Sequence, residues 1–403
     1  MTAAAARTAD ATVARPLTGF QPECLSGVSA IPRAEWDALL PGEAESWDYY
    51  AACETSPPQE FSLSAVGVSR GGTLVAAAPV FRLNYRLDTP LQGSWRPVGD
   101  WLHNHVPKLV TLPVMGLGSP LADKCHLGFA PELTLEERQA AAGVLLQALD
   151  IQAGRQGVPV LAGKDLLDSA LPSIDAAYNA ARYTRVSSLP VAVLDLPFKS
   201  EEDYLASLSS ATRKDIRRKL KAASGLRLEV RHSIEGLEDE IVSLYDETRH
   251  QSGLDYGDLE KLSPTYFRDV MHALGDRGAL MLYWLGDELL GFNLLLIGRD
   301  RVIDKFIGMR YPQAREHNLY VYSWMSNVRF CLERGIRQLQ SGQTAYASKL
   351  RFGSRLDKTW VYFKHRNPVV NLLFRAVGRH LAFDKMDPDL AAIAKKQAGK
   401  DSA

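Results

Sequence analysis

Between Ala279 and Met309 three apolar segments follow one another with only glycine-marked turns between them. Ala279 to Leu285 is the first, and Gly286-Asp287-Glu288 turns it. Leu289 to Ile297 is the second, Gly298-Arg299-Asp300 turns again, and Val302 to Met309 is the third. Apolar runs of this length joined by tight turns pair as antiparallel neighbours. The pattern then changes. Tyr311 to Asn318 reads as a loop, Leu319 to Arg334 as a helix and Gln338 to Gln340 as a short strand. A meander followed by a helix and another strand commits this half to a sheet with helices packed against it.

The first half follows the same logic more loosely. A helix starts at Ile31-Pro32-Arg33. Phe61 to Val68 and Leu74 to Phe81 form a hairpin around Arg70-Gly71-Gly72-Thr73. Leu109 to Met115, Val158 to Gly163 and Val191 to Leu196 read as strands, and Leu135 to Gly154 as a helix with Glu136 and Glu137 in its first turn. From Glu201 the order is a helix to Ala223, a strand Leu226 to Val230, a helix Glu238 to Gly253 and a helix opened by Ser263 as N-cap with Pro264 at N1. Thr359 to Lys364 is the last strand. Four units result: residues 1–20 without order, 21–197, 198–366, and a tail 367–403 containing an amphipathic helix. A chain of 403 residues, 46% hydrophobic, is long enough for more than one core.

Several function classes drop out. Lysine plus arginine (47) balances aspartate plus glutamate (47), so no overall field favours DNA. Cys24, Cys53, Cys125 and Cys331 form no C-x-x-C pair, and this usage fits a reducing cytoplasm. Met1 to Arg15 lacks the apolar core of a signal peptide, and no window reaches a membrane span. Val369 to Phe383 is interrupted by Asn371, Arg375, Gly378, Arg379 and His380; it reads as a helix docked on the protein or resting on a membrane surface. His103-Asn104-His105 has no third ligand placed by sequence, so no metal is expected. Gly116-Leu117-Gly118 lacks the rest of a dinucleotide fingerprint.

The segment Ser341 to Gly353 combines a glycine turn, Tyr346 and Lys349. With Gly286-Asp287-Glu288-Leu289-Leu290-Gly291-Phe292-Asn293, the Tyr311 loop and the helix closing at Glu333-Arg334-Gly335, it resembles the GNAT (N-acetyltransferase) superfamily, and more closely the Fem-type peptidyltransferases and BioF2-like relatives. Relatives often carry an acidic residue where this chain has Gln340. The resemblance implies two GNAT-like domains side by side, each a mixed, mostly antiparallel sheet flanked by helices. It also implies transfer of an acyl or aminoacyl group to an amine or hydroxyl, with acyl-CoA or aminoacyl-tRNA as donor. It leaves a third alternative, a non-catalytic protein that recognises a cell-envelope precursor.

On that resemblance the donor's phosphates would rest at the start of the helix near Asn318 and Leu319, with Arg310 and Arg315 beside them. The usual glycine-rich phosphate loop is absent, and Asn318 reads equally as an ordinary N-cap. Lys349 can hold a phosphate or a carbonyl oxygen, or be a surface lysine after a turn. Tyr346 is a general acid or a strand tyrosine, and His317 a base or an exposed loop residue. Asp304 is a base facing the cleft or the outward half of a pair with Lys305. Gln343 joins the acceptor side. The run Arg213 to Lys221 places six cations in nine residues, with Arg213, Arg217 and Lys221 aligned at i, i+4 and i+8; it is a phosphate-binding stripe for tRNA or a solvated helix.

Overall fold

The computed structural model describes residues 19–57, 60–86, 111–251, 262–378, 387 and 389–393. The segment 1–20 expected to lack order, apart from its last two residues, His103-Asn104-His105 and the Gly253 helix end lie outside them.

Among the described residues fifteen strands build two sheets. In chain order they are β1 (Phe20–Leu25), β2 (Phe61–Arg70), β3 (Thr73–Arg86), β4 (Thr111–Leu117), β5 (Gly128–Phe129), β6 (Val160–Leu167), β7 (Thr184–Ser187), β8 (Val191–Asp195), β9 (Leu226–Arg231), β10 (Gly278–Leu285), β11 (Glu288–Ile297), β12 (Arg301–Met309), β13 (Gln338–Gln340), β14 (Arg355–Asp357) and β15 (Thr359–His365). The helices are α1 (Arg33–Leu39), α2 (Trp47–Thr55), α3 (Leu135–Arg155), α4 (Leu171–Ala180), α5 (Glu201–Ser207), α6 (Ser210–Ala222), α7 (Glu238–Gln251), α8 (Tyr266–Leu274), α9 (Gln313–Glu316), α10 (Leu319–Glu333), α11 (Tyr346–Arg351) and α12 (Pro368–Gly378).

The first sheet runs β1-β2-β3-β4-β6-β15-β7, with β5 beside β3, and the second runs β14-β8-β13-β12-β11-β10-β9. Each contains a meander, one parallel step and a crossover helix. The parallel steps are β4 with β6 and β12 with β13. Helix α3 makes the first crossover; Thr134 caps it through a capping box with Glu137. Helix α10 makes the second, burying Trp324, Met325 and Val328 in the core beneath its sheet. The tandem arrangement implied by the sequence is present, as two mostly antiparallel sheets flanked by helices.

The sheets also exchange strands across residues 197/198. Strand β8 pairs with β13 and β14 of the second sheet. Strand β15 inserts between β6 and β7 of the first. Each half thus supplies the sixth strand of the other's sheet. Periodicity finds both strands but carries no information about which edge they join.

Local differences have local causes. The helix expected from Glu201 to Ala223 is two helices: Leu208 and Ser209 break it, and the Ser209 hydroxyl caps α6 at Thr212. Helix α8 starts at Tyr266 with Thr265 as N-cap, two residues after the expected Ser263. Residues 313–316 of the expected loop form the short helix α9.

Among the described residues, β15 is the sole sheet partner of β7. A fragment ending at residue 197 therefore loses the strand that holds β7 and leaves β8 unpaired. We expect this fragment to show no cooperative thermal transition by circular dichroism, and co-expression with residues 198–403 to restore one. A sharp two-state melt of the fragment alone would remove the strand exchange from the stability argument.

Candidate active site

Strand β13 pairs with β12 only at Arg301–Gln338, Val302–Leu339 and Ile303–Gln340. Beyond Gln340 the chain leaves. Ser341 donates its N–H to the Ala192 carbonyl at 3.0 Å, Gly342 turns with φ 75 and Ala345 with φ 53. Glycine adopts such a conformation freely, whereas alanine pays roughly 1–2 kcal/mol for it. These reversals bring α11 against the gap. From Asp304 to Gly308, β12 has no strand on that side; the following Met309 peptide is held at both ends by Thr248, at 2.7 and 3.3 Å.

A bulge shapes the same stretch. Leu294 faces Phe306 and Leu295 faces Asp304, so Lys305 is an extra residue in β12. Asp304 projects towards α10, and Lys305 towards the first half. Asp304 accepts from the amides of Asn293 (2.8 Å) and Asn327 (3.0 Å), and Asn293 accepts in turn from the Tyr283 hydroxyl at 2.8 Å. The alternative that paired Asp304 with Lys305 is thus replaced by an amide cradle. Lys305 instead donates to Glu45 at 2.6 Å and lies 3.9 Å from Asp123. Its ammonium also faces the rings of Tyr49 and Phe306, each 5.8 Å from the centroid.

Lys349 of α11 is 5% exposed and donates to the Ser341 carbonyl; it is no surface lysine. Burial lowers its pKa to about 8, with Asp304 and Asp123 opposing. Burial raises Asp304 to about 6, with the Asn293 amide, Lys349 and the Asn327 amide opposing and Asp123 adding to the rise. The two groups sense each other's charge, and no ion pair joins them among the described residues. Asp304 keeps partial solvent contact although protein surrounds it. Asp123 reaches this place from the first half. Burial works to raise its pKa, but Lys305, the Gln340 amide and the other lysines prevail and hold it below the usual range.

Gln340 donates to Asp123 at 2.9 Å and accepts from Arg301 at 3.0 Å. The first half of the chain thus brings a carboxylate against the end of β13.

The remaining sequence candidates are dispersed. Tyr346 is fully buried on α11, with its hydroxyl donating to the Pro190 carbonyl at 2.8 Å; it is not a strand residue. Gln343 donates to the Leu189 carbonyl at 2.7 Å. His317 closes α9, and no hydrogen bond or ion pair joins it to Asp304 or Lys349 among the described residues. Arg310 is engaged by Glu240 (3.0 Å) and Glu288 (3.3 Å), and Arg315 lies over the Tyr311 ring at 5.0 Å. Asn318 is the N-cap residue of α10, but its backbone is left-handed at φ 52 and its side chain makes no capping bond. Leu319 is fully buried. Arg213 covers carbonyls at the end of α5, among them Ala206 at 3.3 Å, while Arg217 is exposed. Among the described residues no group of three or more His, Cys, Asp or Glu is placed to hold a metal, and no helix is long and apolar enough to cross a membrane.

Asp123, Lys305, Asn293, Asn327 and Glu45 escaped the sequence reading as site residues. Asparagines inside the apolar β11 and α10 are a signal that was available. Asp123 and Glu45 carry none, because only tertiary contact gives them a role.

Residues 210–350 match the family model described as an acetyltransferase (GNAT) domain. Among solved structures, FemX superposes with a TM-score of 0.56 at 13% identity, covering 86% of this chain and 98% of its own. The C-terminal (DUF2156) domain of a putative lysylphosphatidylglycerol synthetase from Agrobacterium fabrum gives 0.51 at 11% identity, covering 86% and 94%. A tandem GNAT protein from the clavulanic acid biosynthesis pathway gives 0.50 at 14% identity, covering 87% and 99%. No curated protein matches significantly. The chain has a tandem GNAT-type fold similar to that of FemX.

The Lys305–Glu45 pair is 3% and 0% exposed. Replacing Lys305 with Met leaves the buried Glu45 carboxylate with His126 Nε2, at 3.5 Å, as its remaining charge partner, so urea unfolding should show a loss of about 3–5 kcal/mol, with much of it regained in the Lys305→Met/Glu45→Gln double variant. A loss below about 1 kcal/mol would mean that Glu45 finds solvent or another partner.

Proposed function

We propose that the chain is an acyltransferase that moves an acyl group from acyl-CoA to an amine, or to a hydroxyl, of a small acceptor, with an N-acyl product. The observation that carries this reading is the Asp304–Lys349 pair, with both pKa values displaced towards neutrality, in the gap where β12 leaves β13. Displacement by burial at a cleft floor is what acid–base work near pH 7 needs. The acceptor nitrogen attacks the thioester carbonyl carbon and gives its proton to Asp304. The Lys349 ammonium faces the oxygen on which negative charge develops; the free edge of β12 adds backbone donors there. The carbon–sulfur bond breaks, and the CoA thiolate leaves and takes up the proton that Asp304 received, which regenerates the carboxylate. Asp123, fixed by Gln340, lines the acceptor side.

The donor end supports the reading less directly. Of the residues expected to hold donor phosphates, Arg310 is held in ion pairs, and Arg315 has no carboxylate partner among the described residues. Aminoacyl-tRNA is the second reading, favoured by the exposed Lys214, Arg217, Arg218 and Lys221 on the outer face of α6. Thermal stabilisation by CoA thioesters, but not by charged tRNA, separates the two. Stabilisation by an envelope precursor with no donor bound and no turnover would instead leave the non-catalytic alternative.

CoA release with a panel of amines should follow a bell. The rate constant kcat/KM rises as Asp304 loses its proton near pH 6 and falls as Lys349 loses its own near pH 8. Asp304→Asn should cost about 10²–10⁴-fold and abolish the acid limb. Lys349→Met should lower the rate and move the acid limb upward, because the lysine's charge holds the Asp304 pKa down. Full turnover in either variant, in a protein that still melts cooperatively, removes that residue from the mechanism.

A further inference from the structure

Among the described residues five large apolar side chains stand well out in solvent, and the three most exposed are neighbours on α12: Val369 at 72%, Leu372 at 67% and Leu373 at 63%. At i, i+3 and i+4 they form one stripe. The opposite face already docks the helix. Asn371 donates to the Arg182 carbonyl and accepts from the His365 N–H, both at 3.0 Å. Phe374 packs against Phe363 and His365. The stripe is therefore not needed to hold α12 in place, and a contiguous apolar patch facing water marks a contact surface.

The chemistry beside the stripe says what kind of contact. A cavity of about 480 Å³ opens next to the helix, and Leu372 lines it together with Arg182, Lys364, Arg366 and Arg375. Asp150 holds Arg366 at 3.1 Å and is the one carboxylate in the lining. Four cations less one carboxylate leave three positive charges, in a chain whose overall charge is zero. Neither Arg182 nor Arg375 has a carboxylate partner among the described residues, and Lys364 lies over the Tyr183 ring at 4.8 Å.

We infer that this end of the molecule docks on an anionic phospholipid surface. Val369, Leu372 and Leu373 enter the boundary of the acyl chains while Arg182, Arg375 and Lys364 take headgroup phosphates. The exposed side chains are aliphatic, which suits acyl chains; single-stranded nucleic acid would be met by aromatic platforms. A second copy packed symmetrically on the stripe would set the four cations against their equivalents. The inference stands apart from the transferase reading, because the patch is built on β7 and β15 of the first sheet and the Asp304–Lys349 pair on the second.

Vesicle flotation tests it. The full chain should rise with vesicles of phosphatidylcholine and phosphatidylglycerol in equal parts, stay behind with phosphatidylcholine alone, and release at high salt. Leu372→Ser/Leu373→Ser and Arg182→Glu/Arg375→Glu should each cut the bound fraction about tenfold without lowering the melting temperature. If either double variant melts lower, Val369→Ser makes the same test at the most exposed position. The inference is overturned if the wild-type chain fails to float, or if the folded variants float as well. It is also overturned if Leu372→Ser/Leu373→Ser converts a dimer to a monomer without affecting flotation, or if the chain binds an RNA homopolymer and no vesicle.

Discussion

A lysine ammonium taken out of water must find negative charge, and here Lys305 finds it in the other half of the chain. Its link to Glu45 at 2.6 Å, with Asp123 at 3.9 Å, joins the two halves. The Lys305 ammonium also faces the rings of Tyr49 and Phe306, and His126 Nε2 lies 3.5 Å from Glu45, so breaking the pair leaves a poorly compensated charge in the interior. This pairing holds the Asp123 loop beside the place where β12 and β13 part. Without it, the candidate site would have one wall.

The strand exchange acts in the same sense. With β8 in the second sheet and β15 in the first, the chain crosses the junction repeatedly, and its two halves are tied by backbone hydrogen bonds as well as by charge. Halves bound in this way are held in place against each other. That matters for Asp304 and Lys349, whose pKa values depend on how much water reaches them and on a separation short enough for each charge to act on the other. The amides of Asn293 and Asn327 fix the Asp304 carboxylate further, and Gln340 does the same for Asp123.

Much of the second half was legible in the residues. The glycine turns and apolar runs locate β10, β11, β12, α10 and β13 to within a residue or two. Lys349 stood out through the family resemblance of the Ser341 to Gly353 segment, and Asp304 as an aspartate inside an apolar strand, with pairing to Lys305 as its alternative. The helical state of Tyr346–Arg351 was not legible, since it follows from an unusual left-handed alanine at 345. Nor was the use of the basic residues: Arg213 covers a helix end and Arg310 sits in ion pairs, and a count of cations does not distinguish such arginines from free ones.

The sequence by itself determined where strands and helices begin, and that each half runs from a hairpin or meander through a helix to a further strand. These are local matters, governed by periodicity, turn residues and capping. Only the tertiary structure decided that the carboxylate beside Gln340 is Asp123, that β8 and β15 change sheets, and that Asp304 and Lys349 come near enough to act on each other's charge. Partners far apart in sequence are chosen by packing and by the need to neutralise buried charge, and neither leaves a mark at the position of any single residue.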